Sequence, residues 1–576
     1  MAALPAPRAS SPHRLTTLGL VAAVALGVAV RASHVLSTRF PLNDGALFYA
    51  MTRDIQQAGY HLPAFTSYNG AGIPFGYSPL AFYLAAVVNQ VTGLPLIDLF
   101  RWLPLAATSL TVVAFALLAR DMLRSRWALV AAVVAFALVP RSFLWMLMGG
   151  GLTRSLGFLF AILTLRQVYR LYTRQRWPHA AWAAALAALT VVSHLGTAPF
   201  VAFSSLLLFI AYGRHRHGVV SSLTVAVATV SLTAPWWMTV IGAHGLGPFI
   251  AALSTGGTIF TAEILRRAAG ALGSFGLGTG EPMLSVIGML AVVGGLASLA
   301  RGPRLLPAWW ITAVLLDQRA GSTYATLPVA MLAGIGVMDV LLPILLRAQP
   351  GTRAEQRPDH PRLAHAGPAR GPAGWRGFAL PIAVLGGFFA FATVSALLRL
   401  PEIRGEGRDL RSLSAEERNA MQWVARTTPT ESRFLVIGQT PWEVDRSGEW
   451  FPVLAGRVSV ATVQGTEWLP DDAFKRKERE YIAVQDCGAW ISECLDEWSR
   501  TTGVRFTHVY IPKIAGRQCC KMLLHSLARD PRYTSVYLGP GAQVFADQAA
   551  VAALTRRPAD LPPAPRPEPR ARRGVK

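Results

Sequence analysis

Leu15-Thr-Thr-Leu-Gly-Leu-Val-Ala-Ala-Val-Ala-Leu-Gly-Val-Ala-Val30, closed by Arg31 and followed by Phe40-Pro-Leu-Asn-Asp-Gly-Ala-Leu-Phe-Tyr49, sets the reading of this chain. A helix needs about 20 apolar residues to cross a bilayer, and the first stretch approaches that length. Arg8, His13 and Arg14 precede it. A cleaved signal peptide is the alternative, but Ala29-Val30-Arg31-Ala32 makes a poor cleavage site. The expectation is an uncleaved signal anchor with its N-terminus inside. Asp44 then falls just past the first span, on the outer face.

The rest of the composition agrees. Of 576 residues, 52% are hydrophobic and 15% charged, too few charges for a soluble chain of this length. The formal net charge of +23 does not point to nucleic acid. Basic residues gather in short loops between apolar runs and in a Pro/Arg tail, which is the positive-inside pattern rather than a base-stacking face.

Candidate spans lie at 15–34, 99–119, 128–146, 155–172, 181–198, 199–213, 219–241, 282–300, 305–320, 322–346 and 377–399. Segment 79–93 is apolar but short. Counting it as non-spanning puts Arg120, Arg124, Arg126, Arg170, Arg174, Arg176, Arg214, Arg216, Arg301 and Arg304 on the N-terminal side. That gives about 11 spans. The chain thus divides into a cytoplasmic N-terminus (1–14), a membrane domain (15–346) with a first outer loop at 35–78, and a loop at 347–376. A last span (377–399), a small mixed α/β domain (400–555) and a tail (556–576) follow. Loop 347–376 and the tail are rich in Pro and Arg without apolar periodicity and are expected to be disordered. In 400–555, Arg433–Ile437 and Thr507–Ile511 read as strands, and 414–427 and 488–500 as helices.

All four cysteines, Cys487, Cys494, Cys519 and Cys520, fall in this last domain. They are disulfide candidates, consistent with an oxidising compartment outside the cell. Long-range pairs joining 487/494 to 519/520 are expected over a bond between neighbours. Zinc is the alternative, but no paired C-x-x-C is present.

Asp44 is flanked by Asn43 and Gly45. Locally, an Asx-turn or helix N-cap explains it as well as catalysis does. Asp54 reads as a solvated helix face and His194 as a helix–helix hydrogen-bonding group. No Walker motif, dinucleotide fingerprint or zinc-protease helix is present.

The wider pattern resembles the first loop of the GT-C glycosyltransferases, a superfamily that uses polyprenyl-phosphate sugar donors. It includes protein O-mannosyltransferases, the aminoarabinose transferase of lipid A and oligosaccharyltransferase catalytic subunits. The resemblance runs from Arg31 through Asp44 and Ala58-Gly-Tyr60 to Pro-Phe-x-Tyr-x-Pro-Leu at 74–80. It continues in Leu118–Trp127 with the Ala-rich span ending at Pro140, in Ala234-Pro-Trp-Trp237, and in Asp317–Pro328. It covers roughly 15–345 and implies Asp44 as the general base. A carboxylate there can take the acceptor hydroxyl's proton, and an arginine can hold the departing phosphate bidentately. Arg319 is the first candidate for that contact and Arg154 the second. Snorkelling is the plainer reading of Arg154, as is pairing with Asp317 of Arg319. Tyr77, Glu263, Trp450 and Trp468 are candidates for acceptor or sugar contact. Core packing competes for the tryptophans, and pairing with Arg266 and Arg267 for Glu263.

The chain also departs from that family. An Asp-Glu pair is replaced by Asp44-Gly45, and the second outer loop, Met148-Gly-Gly-Gly-Leu-Thr-Arg154, has no acid. Trp236-Trp237 is followed by Met238 rather than Asp. A divalent metal is therefore doubtful, and no cofactor is certain. The expected partners are a polyprenyl-phosphate sugar donor, membrane lipid, and an envelope glycan, lipid or protein acceptor, at the plasma (inner) membrane with the C-terminal domain outside. Two alternatives stay open: a transporter or flippase of a lipid-linked or anionic solute, and a non-catalytic scaffold on a degenerate transferase fold.

Overall fold

The computed structural model describes residues 12–255, 279–281, 284–316, 320–348, 376–398, 412–514 and 517–555. Arg319, Glu263 with Arg266 and Arg267, most of loop 347–376 and the tail beyond 555 lie outside the described residues.

The chain divides into two compact units. The first holds 1–414 together with 440–453 and 462–479. Its N-terminal helices are α1 (Pro12–Leu36), α2 (Ala46–Gln57), α3 (Leu80–Thr92), α4 (Leu96–Met122), α5 (Arg126–Leu138), α6 (Leu144–Leu147), α7 (Gly151–Arg174), α8 (Trp177–Ser193), α9 (Ala198–Leu208), α10 (Arg216–His244) and α11 (Gly247–Thr255). Helices at Val286–Arg301, Leu305–Leu316, Thr326–Ile335 and Arg376–Leu398 follow.

Among the described residues, six helices are long and apolar enough to cross a membrane by length and composition, and a pair broken at Pro140 makes a seventh if taken as one span. The six are Arg14–Leu36, Leu96–Met122, Leu195–Gly213, Arg216–His244, Gly321–Arg347 and Ala379–Leu398. The chain is a multi-pass membrane protein. The short segment at 79–93 is the helix Leu80–Thr92. At 1.5 Å per residue it is about 20 Å long, less than the hydrocarbon core.

α5 and Thr326–Ile335 form the centre. From Ala128 to Leu138 every residue of α5 is buried, as befits a helix that is apolar all round. Small residues let the helices close on one another. A Cβ on Gly334 would stand 2.4 Å from the Ala128 carbonyl oxygen, and one on Gly294 would stand 1.9 Å from that of Leu332. Arg31, fully buried, ties α1 to the end of α5. Its guanidinium donates to the carbonyls of Gly27 (3.1 Å) and Ala137 (2.5 Å) and to Ser142 Oγ (3.3 Å), and lies over the Phe143 ring.

After α5 the chain breaks at Pro140 and bends by 72° into α6, then runs through Gly149-Gly150 into α7. Gly149 donates its amide to the Leu42 carbonyl at 2.7 Å. This is where the loop after α1 meets the loop before α7.

The second unit comprises 415–439, 454–461 and 480–576. It is built on a mixed sheet with order β2-β1-β3-β6-β5. The strands are β1 (Arg433–Val436), β2 (Val458–Ser459), β3 (His508–Ile514), β4 (Arg517–Gln518), β5 (Tyr533–Leu538) and β6 (Ala542–Asp547). β1 runs parallel to β2 and β3, with Leu435 opposite Val509, while β6 pairs antiparallel with β3 and β5. Helices Ala415–Thr427 and Glu493–Thr502 flank the sheet in sequence.

Two disulfides form, and neither is long-range. Cys487 pairs with Cys494, and Cys519 with Cys520. The expectation of 487/494 joined to 519/520 is therefore corrected. The turn at Cys487–Ala489 folds the chain back so that the Cα atoms of Cys487 and Cys494 lie 5.6 Å apart, within bridging range. Cys520 takes a left-handed conformation (φ 63°) before the helix Lys521–Arg529.

Candidate active site

The loop after α1 enters α2 through an unusual turn. Asn43 has φ 52° and Gly45 φ 126°, the latter a region that only glycine enters at low cost. α2 begins at Ala46, and no side chain of its N-cap residue bonds back to it. Asp44 does not cap this helix.

The capping is done by Glu449, from α-helical segment Arg446–Leu454. Its Oε1 accepts the amides of Gly45 (2.8 Å) and Ala46 (3.1 Å). Trp450, 0% exposed, donates its indole N–H to the Asn43 carbonyl at 3.1 Å and meets the rings of Phe40 and Tyr49. The Tyr68 hydroxyl donates to the Glu449 carbonyl at 2.6 Å. Burial first, and then the charge of Asp44, pushes the Glu449 carboxyl well above the usual range, partly offset by the two amides. Burial likewise raises the Tyr68 hydroxyl.

Freed from capping, Asp44 faces the Gly149-Gly150 loop and the start of α7. Its Oδ1 accepts the Gly150 amide at 2.8 Å, and its Oδ2 lies 3.2 Å from Arg154 Nη2. The Asp44 side chain is 26% exposed, so the carboxylate is reachable. The glycine run explains the closeness. A Cβ on Gly149 would fall 1.6 Å from the Asp44 carbonyl oxygen. Arg154, in the first turn of α7, lies with its guanidinium 4.7 Å from the Trp145 ring centroid. Its Nε is buried and makes no hydrogen bond, so the fork keeps donors to spare.

Beyond Asp44, α2 carries Phe48, which meets Tyr77 at 5.1 Å between ring centroids. Tyr77 packs on Trp468 at 4.7 Å and donates its hydroxyl to Glu467 Oε1. Asp54 is buried rather than solvated. Its Oδ2 accepts from Thr66 Oγ1 (2.7 Å) and the Ser67 amide (2.9 Å), holding the outer loop onto α2. His194 bonds locally to Thr197 Oγ1 at 2.8 Å.

The structure thus brings Asp44 and Arg154 together, sets Tyr77 and Trp468 side by side, and places Trp450 behind the Asp44 turn. Sequence reasoning did not foresee that Glu449 holds the start of α2 or that Glu467 accepts from Tyr77. The signal for the loop contact was present in Gly149-Gly150-Gly151, since three glycines before a helix mark a close approach of backbones. Among the described residues no group of three metal-ligating side chains converges. Asp44 is engaged by an amide and a guanidinium.

The fold is shared with solved structures of glycosyltransferases. The archaeal oligosaccharyltransferase AglB from Archaeoglobus fulgidus, in complex with an inhibitory peptide and a dolichol-phosphate, has TM-score 0.52 and 12% identity, over 88% of this chain and 70% of that one. ArnT from Cupriavidus metallidurans in the apo state has TM-score 0.52 and 13% identity, over 93% and 99%. The arabinofuranosyltransferase AftD from Mycobacteria has TM-score 0.51 and 16% identity, over 94% of this chain but 40% of that one. No protein-family profile matches the sequence, and no curated protein is similar to it in sequence.

Proposed function

We propose that this chain is an inverting glycosyltransferase. It moves a sugar from a polyprenyl-phosphate donor to an extracytoplasmic envelope glycan, lipid or protein, with Asp44 as general base. The observation that carries this reading is that Asp44 does not cap α2. Glu449 does so, leaving a reachable carboxylate beside an arginine. The shared fold with three glycosyltransferases supports the class.

In this reading the acceptor hydroxyl gives its proton to Asp44 as its oxygen attacks the anomeric carbon. The bond from that carbon to the phosphate oxygen breaks on the opposite face, and the phosphate leaves with the electron pair. Arg154 holds Asp44 with Nη2 and turns its remaining donors to the departing phosphate. Arg319 is a second cation for the same charge, as the resemblance implies. The protein sits in the plasma membrane with the sheet unit outside, and its two disulfides favour that oxidising side.

The test is transfer from labelled polyprenyl-phosphate hexose or pentose in native membranes, comparing wild type with Asp44→Asn. Protein-dependent transfer that collapses in the near-isosteric variant supports the reading. Unchanged transfer removes the base assignment, and no transfer from any donor removes the activity.

A further inference from the structure

Three buried polar atoms in one aromatic cluster make no hydrogen bond within the protein. They are Glu467 Oε2, Trp468 Nε1 and Trp236 Nε1. Trp236 and Trp468 are 6% and 5% exposed. The Phe249 ring stands between them, with centroids 5.8 Å from Trp236 and 6.1 Å from Trp468. Tyr77 closes the other side of Trp468, with its hydroxyl on the second oxygen of Glu467. Phe48, on the first turn of α2 after Asp44, meets Tyr77 in turn.

The placement is tightly held. Trp468 lies flat over Gly76, where a Cβ would come within 2.3 Å of its ring. Its loop turns through Gly465 at φ 87°, where glycine alone is unstrained. A buried polar group without a partner is costly, and native proteins keep few of them. Here one carboxylate acceptor and two indole donors share a cluster whose Tyr77, Phe48 and Phe249 rings are only half-buried.

We propose that this cluster is a sugar-ring subsite. A sugar hydroxyl is both donor and acceptor, so neighbouring hydroxyls can satisfy Glu467 Oε2 and an indole N–H at once. The apolar face of the same ring packs on the half-buried aromatics. An acyl chain supplies no hydrogen bonds and would leave all three atoms unmet. The proposal deepens the transferase reading and rests on it for the site's role, with the bound ring belonging either to the donor or to a glycan acceptor.

The experiment uses the full-length protein in nanodiscs. Ligand-observed saturation-transfer NMR is recorded with methyl glycosides of glucose, mannose, galactose and arabinose, and with a blocked trialanine peptide as control. Binding of at least one glycoside is expected. Glu467→Gln should weaken it roughly 10–100-fold and Trp468→Phe roughly 3–10-fold, as lost charged and neutral hydrogen bonds do. Trp236→Phe gives an independent variant, and unchanged melting temperature certifies each fold. In transfer assays, a raised KM for donor alone assigns the ring to the donor, and a raised KM for acceptor alone assigns it to the acceptor. Absence of glycoside binding, binding of the peptide in its place, or variants that bind as wild type would overturn the subsite. Glycoside binding that depends on Glu467 while Asp44→Asn leaves transfer intact would keep the subsite and remove the catalytic reading.

Discussion

Glu449 reaches Gly45 across 404 positions of sequence, its carboxylate accepting the Gly45 amide at 2.8 Å. The contact keeps the Asp44 carboxylate out of the start of α2. Glu449 holds the Gly45 and Ala46 amides, and the Asp44 carboxylate turns to Gly150 and Arg154 instead.

Replacing Asp44 with asparagine should lower kcat by about 10²–10⁴-fold, the range of general-base catalysis. The donor KM should change little, and the Gly150 contact survives because the amide oxygen still accepts. Steady-state transfer kinetics check this.

Arg154→Lys keeps the charge and loses the planar fork. Donor KM should rise about tenfold with kcat also reduced, and the Trp145 stacking is lost as well. Titrating the donor against the variant separates the two effects.

Gly149→Ala should abolish activity, because its Cβ would sit 1.6 Å from the Asp44 carbonyl oxygen and must push the two loops apart. Gly59→Ala is the control. Its φ is positive, but a Cβ there meets nothing within 4 Å, so it should cost about 1 kcal/mol of strain and leave transfer intact.

Much of this was legible beforehand. The resemblance of the first loop points to Asp44, which its neighbours alone explain equally well as a turn or cap, and it puts Arg154 second to Arg319. The strands at 433–437 and 507–511 followed from their β-branched and aromatic runs. Glu449 could not be found this way. Its role depends on segments 440–453 and 462–479 packing with the helical unit although the sheet unit surrounds them in sequence, and no local periodicity encodes that. The disulfides failed for a related reason. Cysteine spacing leaves the connectivity undetermined, and the left-handed turn at Cys520 is not visible in composition.

Glu449 gives a pH prediction. Its folded pKa is raised above the ordinary 4.5. Its stabilising contribution is therefore complete below that ordinary value and is lost as pH rises through the raised one. Glu449→Gln keeps an oxygen acceptor for Gly45 and Ala46 without the titration. The variant should melt higher than wild type at neutral pH, and the difference should vanish near pH 4 in calorimetry.

His508, in β3, predicts the opposite sign. Burial lowers its pKa from 6.5 to about 4, so the sheet unit should lose stability as pH falls from 6.5 towards 4. Hydrogen exchange of β3 amides across that window should register it, with His508→Gln abolishing the dependence.

The Glu449 clasp also fixes an order of events at the ribosome. Asp44 emerges early, but its turn stays open until Glu449 is made 405 positions later. At roughly 5–20 residues per second that delay is about 20–80 s. Through that interval the turn that carries Asp44 lacks the acceptor that holds its Gly45 and Ala46 amides. Any ribosome that stops before codon 449 releases a product without that clasp.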